Sequence, residues 1–195
     1  MSFRVGNVRL EAWPPTPACG SGHTKTRATA ESTGATKLMD TIEFRRILGH
    51  WTTGVSVVAA RTAEGTLFGL TASAVSSVSL QPSLVLACIE TGADTHNAIA
   101  AAGAFSINML SAEQEILARR FAADDVVDKF EGVGWRSEVT GAPVLEDVLA
   151  WLDCTVWAQY PAGDHTIYIG EVQAGDAREG SPLVYYRGGF GRFQP

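Results

Sequence analysis

Gly69-Leu70-Thr71-Ala72-Ser73-Ala74-Val75-Ser76-Ser77-Val78-Ser79-Leu80-Gln81-Pro82 is the stretch that decides the fold, and it runs straight into the apolar segment Ser83-Leu84-Val85-Leu86-Ala87-Cys88-Ile89. Its β-branched residues, small residues and row of hydroxyls predict a strand, then a close-fitting polar loop, then a second strand. Such a loop suits a phosphorylated ligand, because small side chains let backbone N–H groups approach an anion. The hydroxyls of Thr71, Ser73, Ser76 and Ser77 also fit a Ser/Thr-rich edge strand with no ligand, and composition by itself does not separate the two.

On the N-terminal side of this stretch, Asp40-Thr41-Ile42-Glu43 supplies an N-cap acid with Glu three residues on. Phe44, Ile47, Leu48 and Trp51 follow at helical spacing, which predicts a short amphipathic helix. Residues 54–60 read as a strand, and Ala63-Glu64-Gly65 as the turn of a hairpin. On the C-terminal side, Thr95 is the expected N-cap of a short helix ending near Ala102, and residues 105–110 alternate as a strand. Ser111-Ala112-Glu113-Gln114 reads as a capping box opening a helix with Ile116, Leu117 and Phe121 on one face. Residues 124–140 form a charged connection too long to be mere linkage. Residues 151–160 and 165–172 flank the turn Pro161-Ala162-Gly163-Asp164 as a hairpin, and residues 182–186 form a last strand. Six or seven strands with two or three short helices predict a mainly β protein with short helices, built as a small antiparallel barrel.

The chain has 195 residues, 46% hydrophobic and 18% charged, which is enough for one full core and cramped for two. A globular domain is expected over residues 39–195. Residues 1–38 are rich in Pro, Gly, Ser, Thr and Ala and match neither period, so they are expected to be a disordered extension. A cleaved transit peptide and a true start at Met39 both account for it. The formal net charge is −6, with no cluster of Lys and Arg, which argues against nucleic-acid binding. The three cysteines lie far apart without metal-ligand spacing, so neither a zinc site nor a disulfide framework is expected. No apolar run approaches the roughly 20 residues of a membrane span. A soluble, cytoplasmic protein is the expectation.

Several chemistries lose their usual signatures. Gly189-Phe190-Gly191 follows a strand but precedes no helix, so the dinucleotide fingerprint fails on context. There is no P-loop lysine and no G-x-S-x-G elbow. Asp124-Asp125 reads as a solvated charged loop. What remains are groups suited to holding a ligand: the hydroxyls above, Thr95 at a helix N-terminus as an anion site, and Lys129, either a phosphate partner or a solvated cation. His165, just after a turn, is suited to hydrogen bonding near neutral pH or to a structural role.

The elements Phe44-Arg45-Arg46-Ile47-Leu48-Gly49-His50-Trp51-Thr52-Thr53-Gly54-Val55, Leu70-Thr71-Ala72-Ser73 with Ser77-Val78-Ser79-Leu80-Gln81-Pro82, Asp128-Lys129-Phe130, Gly163-Asp164-His165-Thr166-Ile167-Tyr168-Ile169-Gly170 and Pro182-Leu183-Val184-Tyr185-Tyr186-Arg187-Gly188-Gly189-Phe190-Gly191 together resemble the flavin reductase family. The nearest branch is the small reductase component of two-component flavin-dependent monooxygenases, of the 4-hydroxyphenylacetate and phenol hydroxylase type. The resemblance spans about residues 40–193. It departs from the usual pattern at Thr52, where proline is common, and at Gln81-Pro82-Ser83, where two prolines often occur.

The resemblance implies a split β-barrel, usually a homodimer, that uses NADH or NADPH to reduce FMN or FAD for a separate oxygenase. It implies that Thr71, Ala72, Ser73, Ser76, Ser77 and Val78 line the flavin with Thr53 and Gly54 beside it. Thr95 and Lys129 then lie toward the phosphate, His165 faces the nicotinamide, and Arg187 and Gly189 close the pocket. Two other readings stay open at this stage: a non-enzymatic split-barrel protein binding flavin or haem, and a flavoenzyme that keeps its flavin and reduces a bound substrate.

Overall fold

The computed structural model describes residues 39–193, so the extension expected over residues 1–38 lies outside the described residues. In chain order the elements are α1 (Thr41–Leu48), β1 (Thr53–Gly54), β2 (Ser56–Arg61), β3 (Leu67–Ala72), β4 (Val75–Leu80), β5 (Ser83–Glu90) and α2 (Asp94–Ala102). Then follow β6 (Ala104–Met109), α3 (Glu115–Ala122), β7 (Trp135–Ser137), β8 (Pro143–Leu145), β9 (Ala150–Ala162), β10 (His165–Ala177), β11 (Leu183–Tyr186) and β12 (Gly189–Arg192).

Seven strands form one antiparallel sheet in the order β3-β2-β6-β9-β10-β5-β4. Its two edges, β3 and β4, are consecutive in the chain and are joined only by Ser73 and Ala74. Edges of a flat seven-stranded sheet would stand roughly 28 Å apart at normal strand spacing, a distance two residues cannot span. The sheet therefore curls until its edges meet, and no strand ladder closes the seam. That is the split barrel expected from the sequence, and the quoted stretch is its seam.

β2 shows why the barrel is solid. Its residues Val57, Val58, Ala59 and Ala60 are all fully buried, although successive side chains point to opposite faces. Val58 and Ala60 join Ile89, Phe105, Ile107 and Tyr168 in the barrel interior. Val57 and Ala59 join Leu110, Phe121, Phe130 and Leu145 in a second core outside the sheet, beneath α3. Buried Asn108 ties this outer layer down, donating to Val57 O (3.1 Å) and accepting from Leu145 N (2.8 Å).

Several local expectations need correction. Val75–Leu80 is not a loop but an edge strand paired to β5, because its alternating hydroxyl and apolar residues fit a pleat with one wet face. Thr95 is not an N-cap: Ala93 holds that position, and Thr95, one residue inside α2, packs inward. Gln114 does reach back to Ser111 N (2.9 Å), yet α3 begins only at Glu115, and Ile116 faces solvent while Ala118 and Phe121 are buried. Glu43 pairs with Arg46 (2.7 Å) rather than completing a capping box with Asp40, which caps Ile42 N alone. The 124–140 connection contains β7, paired to β8, and Arg187-Gly188 is a turn into the unforeseen strand β12. The apolar face of α1 forms as expected, but within one chain none of it is buried: Phe44, Ile47, Leu48 and Trp51 stay exposed.

Candidate active site

A cleft of about 910 Å³ opens at the barrel seam, a size suited to a cofactor-like ligand. β3 and the Ser73-Ala74 link form one wall. The N-terminal turn of α2 with Gly92 and Ala93 forms another, and the segment from Phe121 to Phe130 a third. The cleft thus brings together Thr71, Ala72, Ser73, Thr95, Lys129 and His165, six of the thirteen residues singled out from sequence.

The others lie elsewhere in a single chain. Ser76, Ser77 and Val78 sit on edge strand β4, are exposed, and are not among the residues lining the cleft. Thr53 and Gly54 form β1, which pairs with β11, while Arg187 and Gly189 lie at the β11–β12 turn, so these four residues gather on a separate three-stranded sheet. Thr53 Oγ1 is buried there without a hydrogen-bond partner.

Three of the six cleft residues already have partners. Thr71 Oγ1 donates to Ala118 O (2.6 Å), tying β3 to α3, so toward the cleft its hydroxyl offers only a lone pair. Lys129 Nζ donates to Phe121 O (3.0 Å), one of the last carbonyls of α3, which have no partner within the helix. This bond ties the ends of residues 121–129 together. The edge-to-face pair Phe121–Phe130, with ring centroids 5.0 Å apart, fixes the same span from below. Gly69 is what lets that pair seat on β3: a Cβ there would lie 2.7 Å from Phe121 Cε1.

The donor set fits a phosphorylated, planar ligand. Ala93 at the α2 N-cap makes no side-chain cap, and the helix start from Gly92 to Thr95 lines the cleft; apart from the N–H of His96, which donates to Ala93 O (2.9 Å), its first N–H groups are suited to an anion. Ser73 adds a hydroxyl and Lys129 a positive charge. Nδ1 of His165, also in the lining, lies 2.7 Å from Asp164 Oδ1, and this hydrogen bond holds the Asp164 carboxyl below the usual carboxylate range. Cys88, on β5 beneath the cleft, is a free thiol whose pKa burial raises. The acids Glu90, Asp94, Asp124 and Asp128 ring the cleft, with Lys129 as the one lysine or arginine among its lining residues. Sequence reading missed Gly69, Cys88, Phe121 and Phe130 as parts of this site. The only trace they leave is a small residue in a strand facing a distant aromatic pair.

The chain is thus a split barrel, a curled antiparallel sheet open at a polar seam beside an uncapped helix N-terminus. Residues 48–194 match the flavin reductase like domain, and the chain belongs to that family. It is 42% identical over 150 residues to the FMN reductase (NADH) SmoA of Agrobacterium fabrum, covering 77% of this chain and 84% of that protein. It is 41% identical over 157 residues to the reductase component of the 4-nitrophenol 4-monooxygenase/4-nitrocatechol 2-monooxygenase of Rhodococcus opacus, covering 80% and 83%. Among solved structures, the Streptomyces globisporus NADH:FAD oxidoreductase SgcE6 in complex with NAD and FAD fragments superposes with a TM-score of 0.74. That match is at 39% identity and covers 80% of this chain and 94% of the other.

Proposed function

We propose that this protein is an NADH:flavin oxidoreductase that reduces FMN or FAD and releases it to a separate oxygenase component. The observation that supports the reading is the seam cleft, whose lining includes the Ser73 hydroxyl, the start of α2, Lys129 and His165. The chemistry a bound flavin supplies is acceptance of a hydride from reduced nicotinamide. The chain's own contribution is positioning, since hydride transfer needs the reacting atoms about 3 to 3.5 Å apart and requires no protein nucleophile. Ser73 and the first N–H groups of α2 hold the phosphate-bearing end. Lys129 exchanges its helix carbonyl for that phosphate, and His165 orients the nicotinamide. A site with one cation among four carboxylates holds an anionic ligand loosely, which suits a flavin that must leave.

The same charge pattern favours NADH over NADPH, because the extra phosphate of NADPH would find no second cation in the cleft and would meet its acids. The NADH in the names of the relatives supports this choice. A homodimer is part of the proposal: Phe44, Ile47 and Leu48 of α1, Trp51 just after it, and Trp157 and Tyr160 of β9 are exposed large apolar side chains of the kind a second copy would cover. Thr53, Gly54, Arg187 and Gly189 then act where two copies meet. Among the described residues no helix is long and apolar enough to cross a membrane. The free thiols Cys88 and Cys154 suit the reducing cytoplasm.

The test is a steady-state assay crossing FMN, FAD and riboflavin with NADH and NADPH, alongside sedimentation of the full chain. Expected are NADH oxidation that depends on added flavin, weaker use of NADPH, and a dimer. Failure of any flavin to stimulate NADH oxidation would overturn the reading.

A further inference from the structure

Thr91, in the link between β5 and α2, donates twice to a single acceptor. Its backbone N–H reaches Asp164 O at 3.0 Å and its Oγ1 reaches the same oxygen at 3.1 Å. Asp164 and Gly163 form the two-residue turn between β9 and β10, and Gly163 has φ +69°, a value suited to glycine. The carbonyl of Asp164 belongs to the same planar peptide as the nitrogen of His165. Holding that oxygen with two donors fixes the plane from which His165 departs, and with it the direction of its Cα–Cβ bond.

The side chain of Asp164 then fixes the ring. Its Oδ1 lies 2.7 Å from His165 Nδ1, although the carboxylate is 87% exposed and the imidazole 43% exposed. An exposed pair between sequence neighbours usually does little, because both side chains give up rotamer freedom to meet. Here the backbone between them is already held from outside, so only the side-chain rotamers remain to be ordered. Glu90 is in register opposite His165 on β5, yet the ring nitrogen bonds Asp164 instead. An ionised carboxylate accepts only, so the neutral imidazole must carry its proton on Nδ1 and keep a bare lone pair on Nε2.

We propose that Thr91 and Asp164 are positioning residues that hold His165 as the Nδ1–H tautomer, presenting Nε2 to the cleft as an acceptor for the primary amide N–H of the nicotinamide carboxamide. Thr91 does not itself line the cleft, so it acts through the turn. The inference rests on the reductase reading above, but the tautomer can be measured without any turnover.

The experiment labels the histidines of the full chain with ¹⁵N and reads the His165 ring above the ordinary imidazole titration range. It compares wild type with Asp164→Asn, Thr91→Val and Thr91→Ser, with a His165→Gln spectrum for assignment. Wild type should show a protonated Nδ1 and a bare Nε2. Asp164→Asn, whose amide can also donate, should shift the ring toward the Nε2–H form. In parallel, kcat/KM for NADH should fall by about two- to fivefold in Asp164→Asn and Thr91→Val, the scale of an exposed charged pair, with flavin affinity unchanged. Thr91→Ser should restore it, and thermal melts should match throughout. A bare Nδ1 in wild type, or Asp164→Asn and Thr91→Val both equal to wild type in NADH kinetics, would overturn the proposal. A wild type that shows the Nδ1–H tautomer but no flavin-dependent NADH oxidation would instead overturn the reductase reading and leave the ring geometry standing.

Discussion

Gly69→Ala tests the architecture of the cleft wall through one methyl group. The added Cβ would lie 2.7 and 2.9 Å from Cε1 and Cδ1 of Phe121 and 3.3 Å from Cε2 of Phe130. Carbon atoms sit comfortably at about 3.5 to 4.0 Å, so the Phe121 ring must retreat by about 0.8 Å or more. It cannot retreat freely, because it is fully buried and stands edge-to-face on Phe130. Overpacking of this kind costs about 1 to 3 kcal/mol, while Ala for Gly regains about 0.4 to 1 kcal/mol by stiffening the unfolded chain. The central values, about 2 and about 0.7 kcal/mol, leave an expected net loss of about 1.3 kcal/mol, or a Tm lower by about 3 to 5 °C for a domain of this size. Because Phe130 follows Lys129, the displaced pair should also carry the lysine away from the cleft and weaken FMN binding. Urea and thermal melts with a fluorescence titration measure both effects. Phe121→Leu in the same chain should relieve the clash, so the double variant should lose less than the sum of the single losses, by about 0.5 kcal/mol or more. Gly191→Ala, whose added methyl meets nothing within 4 Å, is the control and should change little. A Gly69→Ala protein melting within about 1 °C of wild type, or strictly additive losses, would refute the packing argument.

Ser73→Trp should fill the seam and raise the dissociation constants of FMN and FAD by at least about tenfold without loss of fold, measured by fluorescence titration and circular dichroism. His165→Ala should lower kcat/KM for NADH by about ten- to a hundredfold and leave oxidised-flavin affinity nearly unchanged, read by stopped-flow reduction. The Cys154 thiol is pushed up to about 12, by burial in the barrel first and by the Asp153 charge second. A folded pKa above the unfolded one gives stability that is intact below the unfolded value and lost as pH rises toward the folded one. Between about pH 8 and pH 10.5, wild type should therefore lose about 2 kcal/mol more than Cys154→Ala in urea melts, and equal slopes would count against it.

The sequence by itself determined the local grammar of this protein. The hairpin turns at Gly65 and Gly163, the apolar run of β5, the alternation of β6 and the helix at Asp40 are short-range patterns that neighbouring residues impose on the backbone. The family resemblance also placed six of the thirteen expected site residues in what proved to be one cleft. Tertiary structure decided the rest. Whether Val75–Leu80 was loop or strand depended on β5 offering a partner. Whether Thr71 was a free hydroxyl depended on α3, forty-seven residues away, presenting the carbonyl of Ala118. Phe121 and Phe130 became a cleft wall only because β3 has a glycine beneath them. That Ser73 stands at the mouth of a site at all follows from sheet closure, since only a curled sheet brings its two edges within the reach of a two-residue link. Such pairings join residues far apart in the chain, and the pattern of near neighbours carries no record of them.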